Sequence, residues 1–164
     1  MKKSFDIYIA QYGLSLTKLC MSLCSNRHDA EDLYQSTWEK AMKKIKLYDK
    51  DKSFEKWLFS ICVNTYRDNQ KRYENKRVFK FNTQEEQDRF LSCVPDFCVD
   101  KDEYIALHQA VSKLSSELKE VIVLYYFRDY SINELSEILT IPPGTVKSRL
   151  YKARDILRKE LNYE

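Results

Sequence analysis

Apolar side chains recur at Phe5, Ile9, Tyr12, Leu16, Leu19 and Leu23, in alternating steps of four and three that keep one side of an α-helix apolar. A first helix is therefore predicted. After the polar break Ser25-Asn26-Arg27-His28, the acidic run Asp29-Ala30-Glu31-Asp32 suits the positive end of a helix. Ala30, Leu33, Tyr34, Thr37, Trp38, Ala41 and Ile45 then supply a buried stripe to about Leu47. The turn Tyr48-Asp49-Lys50-Asp51-Lys52 leads to Ser53, a residue type suited to an N-cap. Phe54, Trp57, Leu58, Ile61, Cys62, Thr65 and Tyr66 keep helical spacing beyond it, into basic sequence at Arg67, Lys71, Arg72, Lys76 and Arg77.

The pattern resumes after a gap. A helix is predicted around Tyr104 to Leu114, and another from about Ser116 to Phe127 carrying Leu118, Val121, Ile122 and Tyr125. Asp129-Tyr130 makes the break. Ser131-Ile132-Asn133-Glu134 fits a capping box, in which the Ser and Glu side chains each bond the other's backbone N–H. A short helix with Leu135, Ile138 and Leu139 follows, and Thr140-Ile141-Pro142 ends it. Pro143 suits the first turn of a last helix, whose inward stripe is Val146, Leu150, Ala153, Leu157 and Leu161.

Between the two helical runs, Asn82-Thr83-Gln84-Glu85-Glu86-Gln87 and Pro95-Asp96 favour irregular structure. The expected organisation is all-α: one lobe over residues 1–73, a flexible linker over 74–103, and a second lobe over 104–164 ending in a helix-turn-helix. Two Gly and three Pro in 164 residues argue against a β-fold rich in tight hairpins and against Gly-rich loops. No apolar run approaches the roughly 18 residues of a membrane span, so a cytoplasmic protein with no membrane insertion is expected. The net charge of +3 decides little, but its distribution is uneven. The first lobe carries 14 basic against 9 acidic side chains, the linker 5 against 8, and residues 142–159 hold 6 against 1.

A short capped helix, a tight turn and a longer helix make the pattern whose second helix enters the DNA major groove. The outward side of that helix carries Thr145, Lys147, Ser148, Arg149, Tyr151, Lys152 and Arg154. Such cations neutralise phosphates and bond guanine edges; a solvated basic face is the alternative. In the first lobe, Phe54, Trp57, Phe59 and Tyr66 beside a basic helix end fit either base stacking or core packing, and their spacing favours packing. Tyr48, Asn64, Arg67 and Asp68 are freer to meet a base. Cys20, Cys24, Cys62, Cys93 and Cys98 lack zinc-knuckle spacing and read as reduced, mostly buried thiols. No metal site is expected. Neither a phosphate loop nor a hydrolase or metalloprotease motif is present, so no catalysis is expected.

Three words in order, Asp29-Ala30-Glu31-Asp32-Leu33-Tyr34-Gln35, Phe54-Glu55-Lys56-Trp57-Leu58-Phe59-Ser60-Ile61-Cys62-Val63-Asn64 and Pro143-Gly144-Thr145-Val146-Lys147-Ser148-Arg149-Leu150, closely resemble the extracytoplasmic-function (ECF) sigma factors of bacteria. The resemblance covers nearly the whole chain apart from the linker. It implies a dissociable promoter-specificity subunit of RNA polymerase, working without a cofactor. Asp29, Glu31, Asp32, Gln35 and Trp38 would dock on the clamp helices of core polymerase. The stretch Tyr48 to Arg72 would melt and hold the −10 element, with Asn64 at a base pocket and Tyr48, Arg67, Asp68, Lys71 and Arg72 around it. The helix from Pro143 would read the −35 element of promoter DNA through the outward residues named above. Ser116 to Phe127 would help bind the polymerase flap, the acidic linker would track near the RNA exit path, and an anti-sigma factor would be a further partner. Thr140 stands where the family often has Gly, and Ser60 and Cys62 stand where many relatives differ. A stand-alone helix-turn-helix regulator is the alternative, and it has no need of the first lobe.

Overall fold

The apolar stripes close into helices where their spacing predicts them. The structure, a computed structural model, describes residues 2–76 and 101–162. Helix α1 (Lys2–Leu23) buries Phe5, Leu16, Leu19 and Leu23. Helix α2 (Arg27–Lys44) is capped by Asn26, whose side chain accepts a 2.8 Å bond from the Asp29 N–H. It tightens into a 3-10 turn at Ile45–Leu47, the stretch in which the predicted helix was to end. Helix α3 (Phe54–Lys76) starts behind Ser53, whose hydroxyl accepts from the Lys56 N–H at 3.3 Å. These three helices pack on one another around Leu16, Leu33, Leu58 and Cys62, all fully buried.

The aromatic stripe of α3 is core. Phe54 stacks on Tyr8 at 4.1 Å between ring centroids and meets Tyr48 edge-on at 5.3 Å. Phe59 and Tyr66 are buried, and Trp57 is half-buried against Tyr48 and Phe54. Cys20, Cys24 and Cys62 are buried free thiols. The Cys20 and Cys62 sulfurs lie 3.8 Å apart; the contact with Cys62 and burial together push the Cys20 thiol up, away from reactive thiolate. Cys93 and Cys98 lie outside the described residues. So does most of the linker, although α3 runs through Lys76 and the next helix starts at Lys101, which narrows the span expected between the lobes.

The second lobe comprises α4 (Lys101–Ser112), α5 (Ser116–Ile122), a π-helical turn at Val123–Phe127, α6 (Ile132–Leu139) and α7 (Pro143–Glu160). The capping box forms: Ser131 N–H donates to Glu134 at 2.8 Å, and Glu134 N–H donates to the Ser131 hydroxyl at 3.2 Å. Val121, Leu135, Val146 and Ala153 are fully buried where α5, α6 and α7 meet. Among the described residues, no helix is long and apolar enough to cross a membrane.

At the α6–α7 turn, Thr140 adopts φ 55°, ψ 47°, the left-handed conformation that a β-branched residue disfavours. The geometry explains why Gly suits this position. Thr140→Gly is expected to stabilise the second lobe by about 1 kcal/mol, since the relief of left-handed strain exceeds the added freedom of the unfolded chain. Thermal denaturation checks this, and a lower melting temperature would contradict it.

The lobes are not separate bodies. Helix α3 packs against α5 and α6, and α1 against the π-helical turn. One buried cluster includes core residues of both lobes. Glu55 on α3 accepts bonds from Arg128 at 2.6 Å and from the Tyr130 hydroxyl at 2.8 Å, and Lys56 pairs with Glu134 at 3.0 Å.

Candidate nucleic-acid interface

Helix α7 turns one face inward and leaves a basic face outside. Val146, Leu150 and Ala153 seat it on α5 and α6, so the residues between them point away. Lys147, Ser148, Tyr151 and Lys152 are exposed, Tyr151 by 76% despite its large ring. An exposed aromatic flanked by two cations on a rigid helix is suited to a groove of duplex DNA.

Two of the predicted readers lie at the margins of that face, held by neighbouring side chains. Arg154 is half-buried; its Nε donates to the Tyr126 hydroxyl at 2.6 Å, and its guanidinium lies 5.5 and 5.4 Å from the Tyr125 and Tyr126 ring centroids. It belongs to the flank of α7 that packs on the π-helical turn, because residue 154 is one turn beyond Leu150 and shares part of its face. Arg149 is also half-buried, with Nη2 3.4 Å from a Glu117 carboxylate oxygen of α5. Thr145 is half-buried at the first turn.

On α3, Asn64, Asp68, Lys71 and Arg72 are exposed, and Tyr48 is half-buried at the turn that precedes the helix. A 3.7 Å ion pair with Lys40 of α2 engages Asp68. A cleft of about 770 Å³ opens beside Tyr48, lined also by Asp49, Lys52, Lys56, Trp57 and Ser60, and closed on one side by Glu137 and Ile138 of α6; Asn64, Asp68, Lys71 and Arg72 do not line it. Its aromatic faces, Tyr48 and Trp57, suit an unstacked base, while its two lysines are balanced by Asp49 and Glu137.

Arg67 is not free, contrary to expectation. Its Nε donates to both oxygens of Glu120 at 3.0 Å, and Nη2 donates to one of them at 2.8 Å. The Glu120 side chain is fully buried, while Arg67 is 28% exposed. Burial pushes the Glu120 carboxyl above its ordinary value, and Arg67 pulls it back. Neither Glu117 nor Glu120 stood out in the sequence. The available signal was a carboxylate inside the apolar run Leu118 to Leu124, where an unpaired charge is untenable.

On α2, Glu31, Asp32 and Gln35 are exposed on one side and Asp29 is half-buried at the first turn. Arg27 holds Glu31 at 2.7 Å, and His28 lies 3.5 Å from Asp32. Trp38 lies on the buried stripe its spacing predicts and departs from the docking role the resemblance implies: it is 6% exposed, with its ring edge-on to Phe5 at 5.6 Å. It falls on the buried stripe with Ala30, Leu33, Thr37 and Ala41, so it is core and not a surface contact.

The sigma-70 region 2 family matches residues 8–77, and the sigma-70 region 4 family matches residues 104–157. The chain is 31% identical over 158 residues to the ECF RNA polymerase sigma factor SigW of Bacillus subtilis (strain 168), covering 92% of this chain and 84% of that protein. This chain belongs to the ECF sigma factors. A second relative, the RNA polymerase sigma factor SigV of the same organism, is 31% identical and covers 95% of this sigma factor and 90% of its own length. The match to region 2 removes the stand-alone regulator, which has no use for the first lobe. A solved structure, the sigma factor RpoE in complex with the anti-sigma factor NepR from Bartonella quintana, aligns with a TM-score of 0.77 and 25% identity over 99% of both chains. An alignment of that extent includes both lobes of this sigma factor in one superposition.

Proposed function

We propose that this sigma factor divides promoter recognition between its lobes. The first lobe docks core polymerase through the exposed side of α2, at Asp29, Glu31, Asp32 and Gln35. The same lobe captures the −10 element beside Tyr48, Asn64, Asp68, Lys71 and Arg72. The second lobe reads the −35 element through the Lys147, Ser148, Tyr151 and Lys152 face of α7, with Thr145 and Arg149 at its edge. The observation that carries this reading is the solvent-facing row on α7, held rigidly by a fully buried inner stripe.

Helix α5 is buried at Leu118, Lys119, Glu120, Val121 and Ile122, so its sides offer little to the polymerase flap. A groove of about 510 Å³ lined by Leu107, Val111, Ile122, Tyr126 and Leu157 is the better flap site. The protein binds and positions and carries out no chemistry of its own. It works in the cytoplasm with its polymerase, and an anti-sigma factor is its regulatory partner; the RpoE relative solved with NepR supports that last assignment.

Two substitutions test the division. Asn64 is exposed, so Asn64→Ala leaves the fold and core-polymerase binding intact while impairing open-complex formation in permanganate footprinting. Lys152→Ala weakens binding to all −35 sequences alike and lowers the salt slope by about 1, as loss of a phosphate contact does. Loss of core binding by the first variant, or a change of preferred base by the second, would refute these roles.

A further inference from the structure

Thr145, Arg149 and Lys152 stand on one side of α7, at the i, i+4 and i+7 spacing of a single helix face. Lys152 and the neighbouring Ser148 are in solvent, whereas the Arg149 side chain is only 21% exposed. A long cation in an outward row samples many rotamers and loses that freedom when it binds. Arg149 is already held. Its Nη2 lies 3.4 Å from a carboxylate oxygen of Glu117, on α5, the helix against which α7 packs.

Glu120 follows Glu117 on the same side of α5, three residues on. Burial raises the Glu120 carboxyl, Arg67 and then Arg149 draw it down, and Glu117 adds to the rise, so both carboxylates share one neighbourhood with Arg149. The two Glu120 oxygens are bonded to Arg67, which leaves Glu117 to meet Arg149. This contact does little for the fold. The Glu117 side chain is 66% exposed, and an ion pair so open to water contributes little to stability. It also sets a negative charge beside a face proposed to meet phosphates, which opposes DNA binding in general.

What the contact supplies is orientation. A guanidinium carries five donors in a planar fork, and Glu117 engages this one at a single nitrogen. The remaining donors stay open to the O6 and N7 acceptors of guanine, which arginine bonds through two donors in the major groove. A side chain that reads a base does so accurately when a second group fixes its rotamer.

We propose that Glu117 is a positioning residue for −35 recognition, holding the Arg149 guanidinium against α5 so that its open donors meet one guanine. The inference rests on the division of labour proposed above. Glu117 itself touches no base and acts through Arg149. Loss of its carboxylate removes a charge that repels DNA and also frees Arg149 to swing toward phosphates, so sequence preference falls while attachment to DNA persists.

Holoenzyme assembled from core polymerase and the full chain, bound to a promoter pool randomised through the −35 region, tests this by sequencing of the bound DNA. Wild type is expected to prefer guanine at one position, and Arg149→Ala should lose that preference. Glu117→Gln, which keeps the shape and removes the charge, should lower the preference about fivefold or more at that position alone. In the Arg149→Ala background it should change the preference no further. Melting curves accompany each variant; if Arg149→Ala fails to fold, Arg149→Lys, a cation without the planar fork, takes its place. A uniform gain or loss across all words, with the preference unchanged, overturns the proposal: Glu117 is then only a repelling charge or a support of the fold. A sharper preference in Glu117→Gln, a further loss in the Arg149→Ala background, or a guanine preference that survives the loss of Arg149 overturns it too. A wild-type holoenzyme with no preferred −35 word fails the functional reading and takes the inference with it, whereas a wild-type word left intact by Glu117→Gln fails the inference alone.

Discussion

Trp38→Ala is expected to destabilise the first lobe by about 3–5 kcal/mol, the cost of emptying a buried aromatic site. Trp38 is 6% exposed and contacts Phe5 and Tyr34 edge-on; its removal opens the space between α1 and α2. Trp38→Phe should behave differently. The indole Nε1 is buried with no hydrogen-bond partner, and Phe removes that orphan donor while keeping most of the ring. The gain of about 1–3 kcal/mol from removing an unsatisfied group offsets much of the lost packing, leaving a net change within about 1.5 kcal/mol. Denaturant titration measures both variants, and core-polymerase binding completes the comparison. Full binding by Trp38→Phe fits a core residue. Lost binding with unchanged stability would return Trp38 to the polymerase contact.

Neighbouring residues on α7 supply the second large effect. Leu150 is 2% exposed and Tyr151 is 76% exposed. Leu150→Ala is expected to cost about 2–5 kcal/mol, enough to loosen the helix-turn-helix and abolish −35 binding through the fold. Tyr151→Ala should leave stability within about 0.5 kcal/mol and still weaken −35 binding. The pair separates holding the helix from reading with it. Melting curves and duplex binding on the same samples give the answer, and equal stability losses would contradict the assigned faces.

The legible parts of this fold are local in sequence. The stripes Phe5 to Leu23 and Val146 to Leu157 are set by 3.6-residue periodicity, and the Ser131/Glu134 box by chemistry three residues apart; the structure contains all three. Thr140 showed as a departure from the family's Gly, and its positive φ is the reason that departure has a cost. The exposed α7 face followed from the same periodicity, but its edges did not. Whether Arg149 and Arg154 point outward depends on what α5 and the π-helical turn place beside them. Arg67 was the least legible. Its partner lies 53 residues away on a helix of the other lobe, and no local pattern on α3 reports that lobe's position. Trp38 carries two readings at once: its helical spacing places it on the buried stripe, where the structure has it, and only the resemblance puts it among the polymerase contacts.

Transcription by purified bacterial core polymerase on a pooled promoter library, with and without this protein, tests the central claim most directly. The expected result is a set of transcripts that depend on the protein and share −35 and −10 words. Lys152→Ala should lower them uniformly, and Asn64→Ala should lower them at the melting step. No protein-dependent transcript, together with tight duplex binding by the chain alone, would contradict the account.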